Sequence, residues 1–209
     1  MPLIASFLVS CGTTGKPTVS KVAEANQTAA MLKSSPPARS IPALLIIGDS
    51  TVHNTGAGLK GWGDVIAQHF DTNRIVVQNH ALGGRSSRTF QTQGWWAKTL
   101  AASQPGDFLL IQFGHNDTSP INDTNRARGT LPGLGEEATN IVNGLTLQPE
   151  TVHTYGWYLR GYIAEARKRG VTPIVCSPVP RLPQPGKEQD VTRYIGWARD
   201  VAAEQAVAF

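Results

Sequence analysis

The sequence predicts an α/β protein built on a parallel sheet, and three segments carry that prediction. Ala43-Leu44-Leu45-Ile46-Ile47 is a short continuous apolar run, the pattern of a strand buried on both faces of a parallel sheet. It runs straight into Gly48-Asp49-Ser50. Ile75-Val76-Val77 leads likewise into Asn79-His80-Ala81-Leu82-Gly83-Gly84, and Asp107-Phe108-Leu109-Leu110-Ile111-Gln112-Phe113 into Gly114-His115-Asn116-Asp117. Parallel strands present their carboxyl ends along one edge, so three polar clusters at three successive strand ends converge.

The elements follow in order. Leu3-Ile4-Ala5-Ser6-Phe7-Leu8-Val9-Ser10 is apolar but too short to span a bilayer, and Cys11-Gly12 follows it. Leu8-Val9-Ser10-Cys11 is similar to the lipobox of a bacterial lipoprotein, so an exported chain is expected: periplasmic, extracellular, or tethered to the envelope membrane through Cys11. Residues 12 to 40 have the Thr, Ser, Ala, Lys and Pro composition of a linker. Residues 1–40 are thus leader and linker, and 41–209 a single domain.

Within that domain Val65 to Phe70, after Gly61-Trp62-Gly63-Asp64, reads as a short helix. Arg85 to Phe90 reads as a polar loop, and Gly94 to Ala102 as a crossover helix stopped near Pro105-Gly106. Residues 118 to 150 form a Gly-, Asn- and Thr-rich insertion of little periodicity, either a functional rim or a plain surface excursion. From Thr154 a helix is predicted with Tyr155, Leu159, Tyr162, Ile163 and Ala166 on one stripe, and Gly170 ends it. Trp157 and Tyr158 are expected to pack in the core rather than stack on a ligand. Thr172 to Pro178 reads as a fourth strand carrying Cys176 as a small hydrophobe, and a last helix starts near Arg193. Val201 to Phe209 reads as the end of that helix leading into a further strand.

A serine, a loop glycine and an asparagine brought to one sheet edge suit acyl transfer. Ser50 attacks a carbonyl, while the backbone N–H groups of Ser50 and Gly84 and the side-chain NH2 of Asn116 hold the oxygen that becomes negative. Asp49 is expected to be a turn acceptor rather than a proton carrier. Of the five histidines, His53 and His115 are near enough in sequence to reach the site, but a structural role is the expectation for each.

On these residues the chain resembles the SGNH (GDSL) hydrolases, with Gly48-Asp49-Ser50, Gly84 and Gly114-His115-Asn116-Asp117 standing as their first three blocks. Gly84-Arg85-Ser86-Ser87-Arg88-Thr89-Phe90, Arg128-Gly129-Thr130-Leu131-Pro132-Gly133, Thr154 to Arg160 and Ser177-Pro178-Val179-Pro180-Arg181 resemble the rhamnogalacturonan acetylesterase branch more narrowly. The resemblance implies a flavodoxin-like three-layer α/β/α sandwich around a five-stranded parallel sheet. It implies removal of O-acetyl groups from acetylated plant cell-wall polysaccharide, with no metal or organic cofactor. The family also carries a fourth block, Asp-x-x-His, whose histidine is the base for the serine; that string does not occur here. The chain is therefore expected to be a C-terminally truncated member lacking the last strand, with little or no turnover and an exposed sheet edge that favours association. A non-catalytic remnant that binds saccharide, or an SGNH esterase or lipase of other specificity, is the alternative.

Composition narrows the partners. Residues 1 to 40 hold +3 of the formal net charge of +4, so the body is nearly neutral and no basic stripe argues for nucleic acid. Arg85 and Arg88 could contact a uronate or could serve as packing and salt-bridge residues. The two cysteines are too far apart in sequence for a metal site.

Overall fold

The computed structural model describes residues 39–180 and 191–209. The leader and linker expected before Arg39, Cys11 included, and the segment holding Arg181, Pro183 and Pro185 lie outside the described residues. In chain order the strands are β1 (Ala43–Gly48), β2 (Val76–Asn79), β3 (Phe108–Gln112), β4 (Ala138–Val142), β5 (Pro149–His153) and β6 (Thr172–Val175). The helices are α1 (Ser87–Thr92), α2 (Trp95–Ala102), α3 (Tyr155–Lys168) and α4 (Val191–Glu204). Four strands form one parallel sheet in the order β2-β1-β3-β6, while β4 and β5 pair as a separate antiparallel hairpin.

β1 is central and wholly buried, and its alternate residues feed two cores. Ala43, Leu45 and Ile47 pack with Phe90, Trp96, Tyr162 and Val201, which brings all four helices onto one face. Leu44 and Ile46 pack with Val52 and Ala81, closed over by Trp62, Ile66 and Phe70. Both faces are covered, giving the three-layer arrangement around a parallel sheet. α3 starts where Thr154 Oγ1 accepts from Trp157 N at 3.1 Å and ends at Gly170, whose φ of 75° continues no helix.

Four local readings need correction. The helix expected over Val65 to Phe70 is instead a pair of 3₁₀ turns, Trp62–Asp64 and Ile66–His69. Six residues gain too few bonds to repay the nucleation of an α-helix. The polar loop at Arg85 to Phe90 contains the start of α1, whose cap is Ser86 accepting from Thr89 N while Thr89 Oγ1 accepts from Ser86 N. The insertion at 118–150, read as having little periodicity, carries β4 and the first two residues of β5, whose outward residues are polar or exposed and leave no apolar signal. Strand four stops at Val175, one residue before Cys176, whose half-buried thiol is pushed up to about 11 by burial.

The sheet edge also differs from the expectation of a bare template. Thr172 N and Cys176 N bond inward to the carbonyls of Asp107 and Ile111. The outward-facing positions are Pro173, which has no N–H, and Val175, whose N–H bonds to the Ala208 carbonyl at 2.9 Å. Pro on an edge strand blunts association.

Candidate active site

The first loop is built by Gly48 and Asp49. A Cβ on Gly48 would lie 2.4 Å from Val52 Cγ2 and 2.6 Å from the Gln112 carbonyl, so only glycine lets β1 turn here. Val52 N and His53 N both donate to the Asp49 carbonyl, at 3.1 and 3.0 Å, closing one helical turn with half-buried Ser50 on it. The buried Asp49 carboxylate accepts from Thr51 N and Thr51 Oγ1, each at 2.8 Å, the turn-holding role expected of it.

The second loop runs against the serine. Leu82 N donates to the Gly48 carbonyl at 3.0 Å, and a Cβ on Gly83 would sit 3.6 Å from Ser50 Cβ. Gly84 follows with a φ of 81°, a left-handed conformation natural only to glycine. From the third loop, Asn116 is buried and its Nδ2 donates to the Arg85 carbonyl at 2.7 Å. That bond identifies the amide nitrogen, fixes the carboxamide plane and uses one of its two N–H groups. Ser50, Gly84 and Asn116 thus line a single cleft of about 440 Å³, together with His53, Arg85 and Arg126.

Other candidates fall away. His115 is buried with Nε2 donating to the Val179 carbonyl at 2.5 Å, a structural role. His80 lies beside Gln78, and burial holds its pKa below the usual histidine value. His153 stacks on Trp157 with ring centroids 3.8 Å apart, so Trp157 packs at the hairpin edge while Tyr158 is buried. Arg88 is wholly buried: its Nε and Nη2 bind Glu150 at 2.7 and 2.8 Å, and its Nη1 donates to the carbonyls of Ile121 and Gly129. It cannot reach a ligand, and of the two arginines only Arg85 lines the cleft.

Three features escape sequence reasoning. Gln112, at the end of β3, ties in the loops that follow β1 and β6: its Oε1 accepts from Thr51 Oγ1 and Trp62 Nε1, and its Nε2 donates to the Ser177 carbonyl. Asp64 stands beside His53, with Nδ1 and Oδ1 2.5 Å apart. A second hollow of about 490 Å³ adjoins the first, shares Arg85, Arg126 and Arg128 with it, and like it has no described carboxylate on its walls. Composition hid this, because the surrounding body is nearly neutral. Among the described residues no group of three or more His, Cys, Asp or Glu side chains is placed to hold a metal ion, and no helix is long and apolar enough to cross a membrane.

Comparison with known proteins agrees with this geometry. The model of the family described as GDSL-like lipase/acylhydrolase matches residues 46–209. Rhamnogalacturonan acetylesterase of Emericella nidulans is 32% identical over 166 residues, covering 78% of this chain and 63% of its own length. Rhamnogalacturonan acetylesterase RhgT of Bacillus subtilis is 32% identical over 141 residues, covering 66% of this chain and 49% of its own. The chain thus spans between about half and two thirds of the length of these relatives. Among solved structures, protein YxiM of Bacillus subtilis superposes with a TM-score of 0.57 at 22% identity, over 81% of this chain and 43% of that one. Axe2, an acetylxylan esterase of Geobacillus stearothermophilus, gives 0.51 at 17% identity over 79% and 74%. These two show the fold alone.

Proposed function

The chain belongs to the GDSL-like lipase/acylhydrolase family, and from that premise we propose that it removes O-acetyl groups from an acidic, rhamnogalacturonan- or pectin-like cell-wall polysaccharide. Ser50 is the nucleophile. Its Oγ attacks the acetyl carbonyl carbon, the sugar oxygen leaves, and water then releases acetate from the acyl-enzyme. The oxyanion is held by the N–H groups of Ser50 and Gly84 and by the second N–H of Asn116. The single observation that carries this reading is that the loops after β1, β2 and β3 meet in one cleft with these three residues on its wall.

Two observations support the acidic substrate. The curated relatives bear the name rhamnogalacturonan acetylesterase. Three arginines, Arg85, Arg126 and Arg128, line the cleft and its neighbouring hollow. Arg85 and Arg128 are braced from behind, by Gly83 and Gln93 and by Ser119 and Gly84 respectively, so their guanidinium groups are preorganised. Arg126 is exposed at the rim.

Acetate release from acetylated rhamnogalacturonan and from acetylated xylan tests both parts. Wild type is expected to favour the acidic polymer, S50A to release nothing, and R126A to raise KM for the acidic polymer several-fold while leaving xylan unchanged. Release by S50A removes the serine from the mechanism. Equal use of the two polymers, indifferent to R126A, removes the acidic substrate.

A further inference from the structure

We infer that Arg85 is a positioning residue for the oxyanion site: its guanidinium latches the peptide unit between Gly83 and Gly84 in one of its two orientations and so aims the Gly84 N–H. This rests on Gly84 being an oxyanion donor.

Residues 82–85 form a type II turn. Arg85 N donates to the Leu82 carbonyl at 3.3 Å, and φ is positive at Gly84, 81°, but not at Gly83. Types I and II differ by a half-turn of the central peptide unit, here the one that carries the Gly83 carbonyl and the Gly84 N–H. Glycine accepts positive and negative φ about equally, so backbone sterics leave a Gly-Gly pair free to adopt either form.

The peptide units on both sides are held by other parts of the molecule. Leu82 N donates to the Gly48 carbonyl at 3.0 Å, Arg128 Nη1 to the Gly84 carbonyl at 3.1 Å, and Asn116 Nδ2 to the Arg85 carbonyl at 2.7 Å. Among the described residues the central unit has a single bond: Arg85 Nη1 donates to the Gly83 carbonyl at 3.0 Å, and none accepts from the Gly84 N–H. The latch is itself fixed, because Arg85 Nε donates to Gln93 Oε1 at 3.1 Å and the guanidinium lies 6.0 Å from the centroid of the Trp95 ring. In a trans peptide the C=O and N–H point to opposite edges, so a guanidinium on the Gly83 carbonyl keeps the Gly84 N–H on the far side. A flip would turn that N–H toward the cation and put a carbonyl oxygen where the donor stood. The charged donor also polarises the unit, which strengthens the N–H as a donor.

The test reads the turn and the reaction separately in wild type, R85A and R85K, with folding checked by melting. In isotope-labelled protein, nuclear Overhauser contacts distinguish the two turns. The Gly84 amide proton lies close to the Gly83 Hα protons in type II and to the Gly83 amide proton in type I. Wild type is expected to show the first pattern and R85A to gain the second. With 4-nitrophenyl acetate, which offers no carboxylate to an arginine, R85A is expected to lose about 10²-fold in kcat, as for a lost oxyanion donor, with KM little changed. R85K keeps the charge but not the planar fork that reaches Gly83 and Gln93 together, so it is expected to fall between. Guanidinium ion at non-denaturing concentration is expected to restore part of the rate in R85A. A type II pattern unchanged in R85A overturns the latch. A changed turn with unchanged kcat, or a loss confined to KM, overturns the positioning role. A wild type that hydrolyses no acetyl ester, while the turn still changes in R85A, overturns the acyl-transfer reading and leaves the latch standing.

Discussion

Asp117 shows how much a single residue at a strand end is asked to bear. It is fully buried one position after Asn116, and it accepts from Ser87 N and Ser87 Oγ at the start of α1. Burial raises its pKa to about 7, with the Ser87 bonds acting in the opposite sense and the neighbouring Asp49 adding to the rise. The native state therefore holds a proton that the unfolded chain, with a carboxyl pKa near about 3.9, has already lost. Stability from this group is present below about pH 4 and is lost as pH rises toward about 7, by at most about 1.4 kcal/mol per pH unit. His80 acts with the opposite sign, because burial lowers its pKa and its protonation destabilises the fold as pH falls. Comparing urea unfolding of wild type with D117N cancels His80, which both share. The wild-type advantage is expected to shrink steadily between pH 4 and 7; a difference that stays constant over that range excludes proton retention by Asp117. At this scale the placing of Ser50, Gly84 and Asn116 on one cleft was readable, because each lies in the loop that follows an apolar strand. It was unreadable for Asp64, whose contact with His53 forms only when the loop from Asn54 to Gly61 folds back and donates two N–H groups to the same carboxylate.

At the scale of elements, the β4–β5 hairpin is a two-stranded piece that would be marginal alone. It is fastened from within by Arg88 of α1, whose guanidinium clasps Glu150 of β5 and two carbonyls of the preceding loop. Asn143 Nδ2 also donates to Glu150, at 2.6 Å, so one carboxylate joins helix, hairpin and loop. Removing it leaves a buried guanidinium without its counter-charge, which in comparable sites costs about 3–5 kcal/mol. E150A is expected to lose stability of that order in urea unfolding, with E150Q losing less; a loss below about 1 kcal/mol contradicts a supporting role for the pair. Long periodic elements such as α3 were legible from their apolar stripe and caps. The hairpin was not, since it is held by polar contacts reaching 62 residues along the chain, from Arg88 to Glu150, which leave no local pattern. α1 was missed for a related reason: at six residues it is too short to show a period, although Ser86 and Thr89 carry its capping signature.

On the scale of the whole molecule, the sheet order β2-β1-β3-β6 places the three polar loops next to one another, at the carboxyl ends of adjacent parallel strands. Gln112, at the end of the central pairing of β1 with β3, bonds to the loops that follow β1 and β6. The two hollows adjoin one another through Arg85, Arg126 and Arg128, with Ser50 on the wall of one and Leu145 of the insertion on the wall of the other. The architecture was legible because buried parallel strands announce themselves as apolar runs. The charge of the groove was not, because arginines 41 and 43 positions apart in sequence meet only in space. The proposed function turns on one chemical event, transfer of an acetyl group to the serine at the tip of β1. Quenching the protein in acid during turnover of an acetyl ester and mapping its peptides by mass spectrometry observes that event. The acetyl group is predicted on Ser50; acetate release with Ser50 never acetylated would contradict the account.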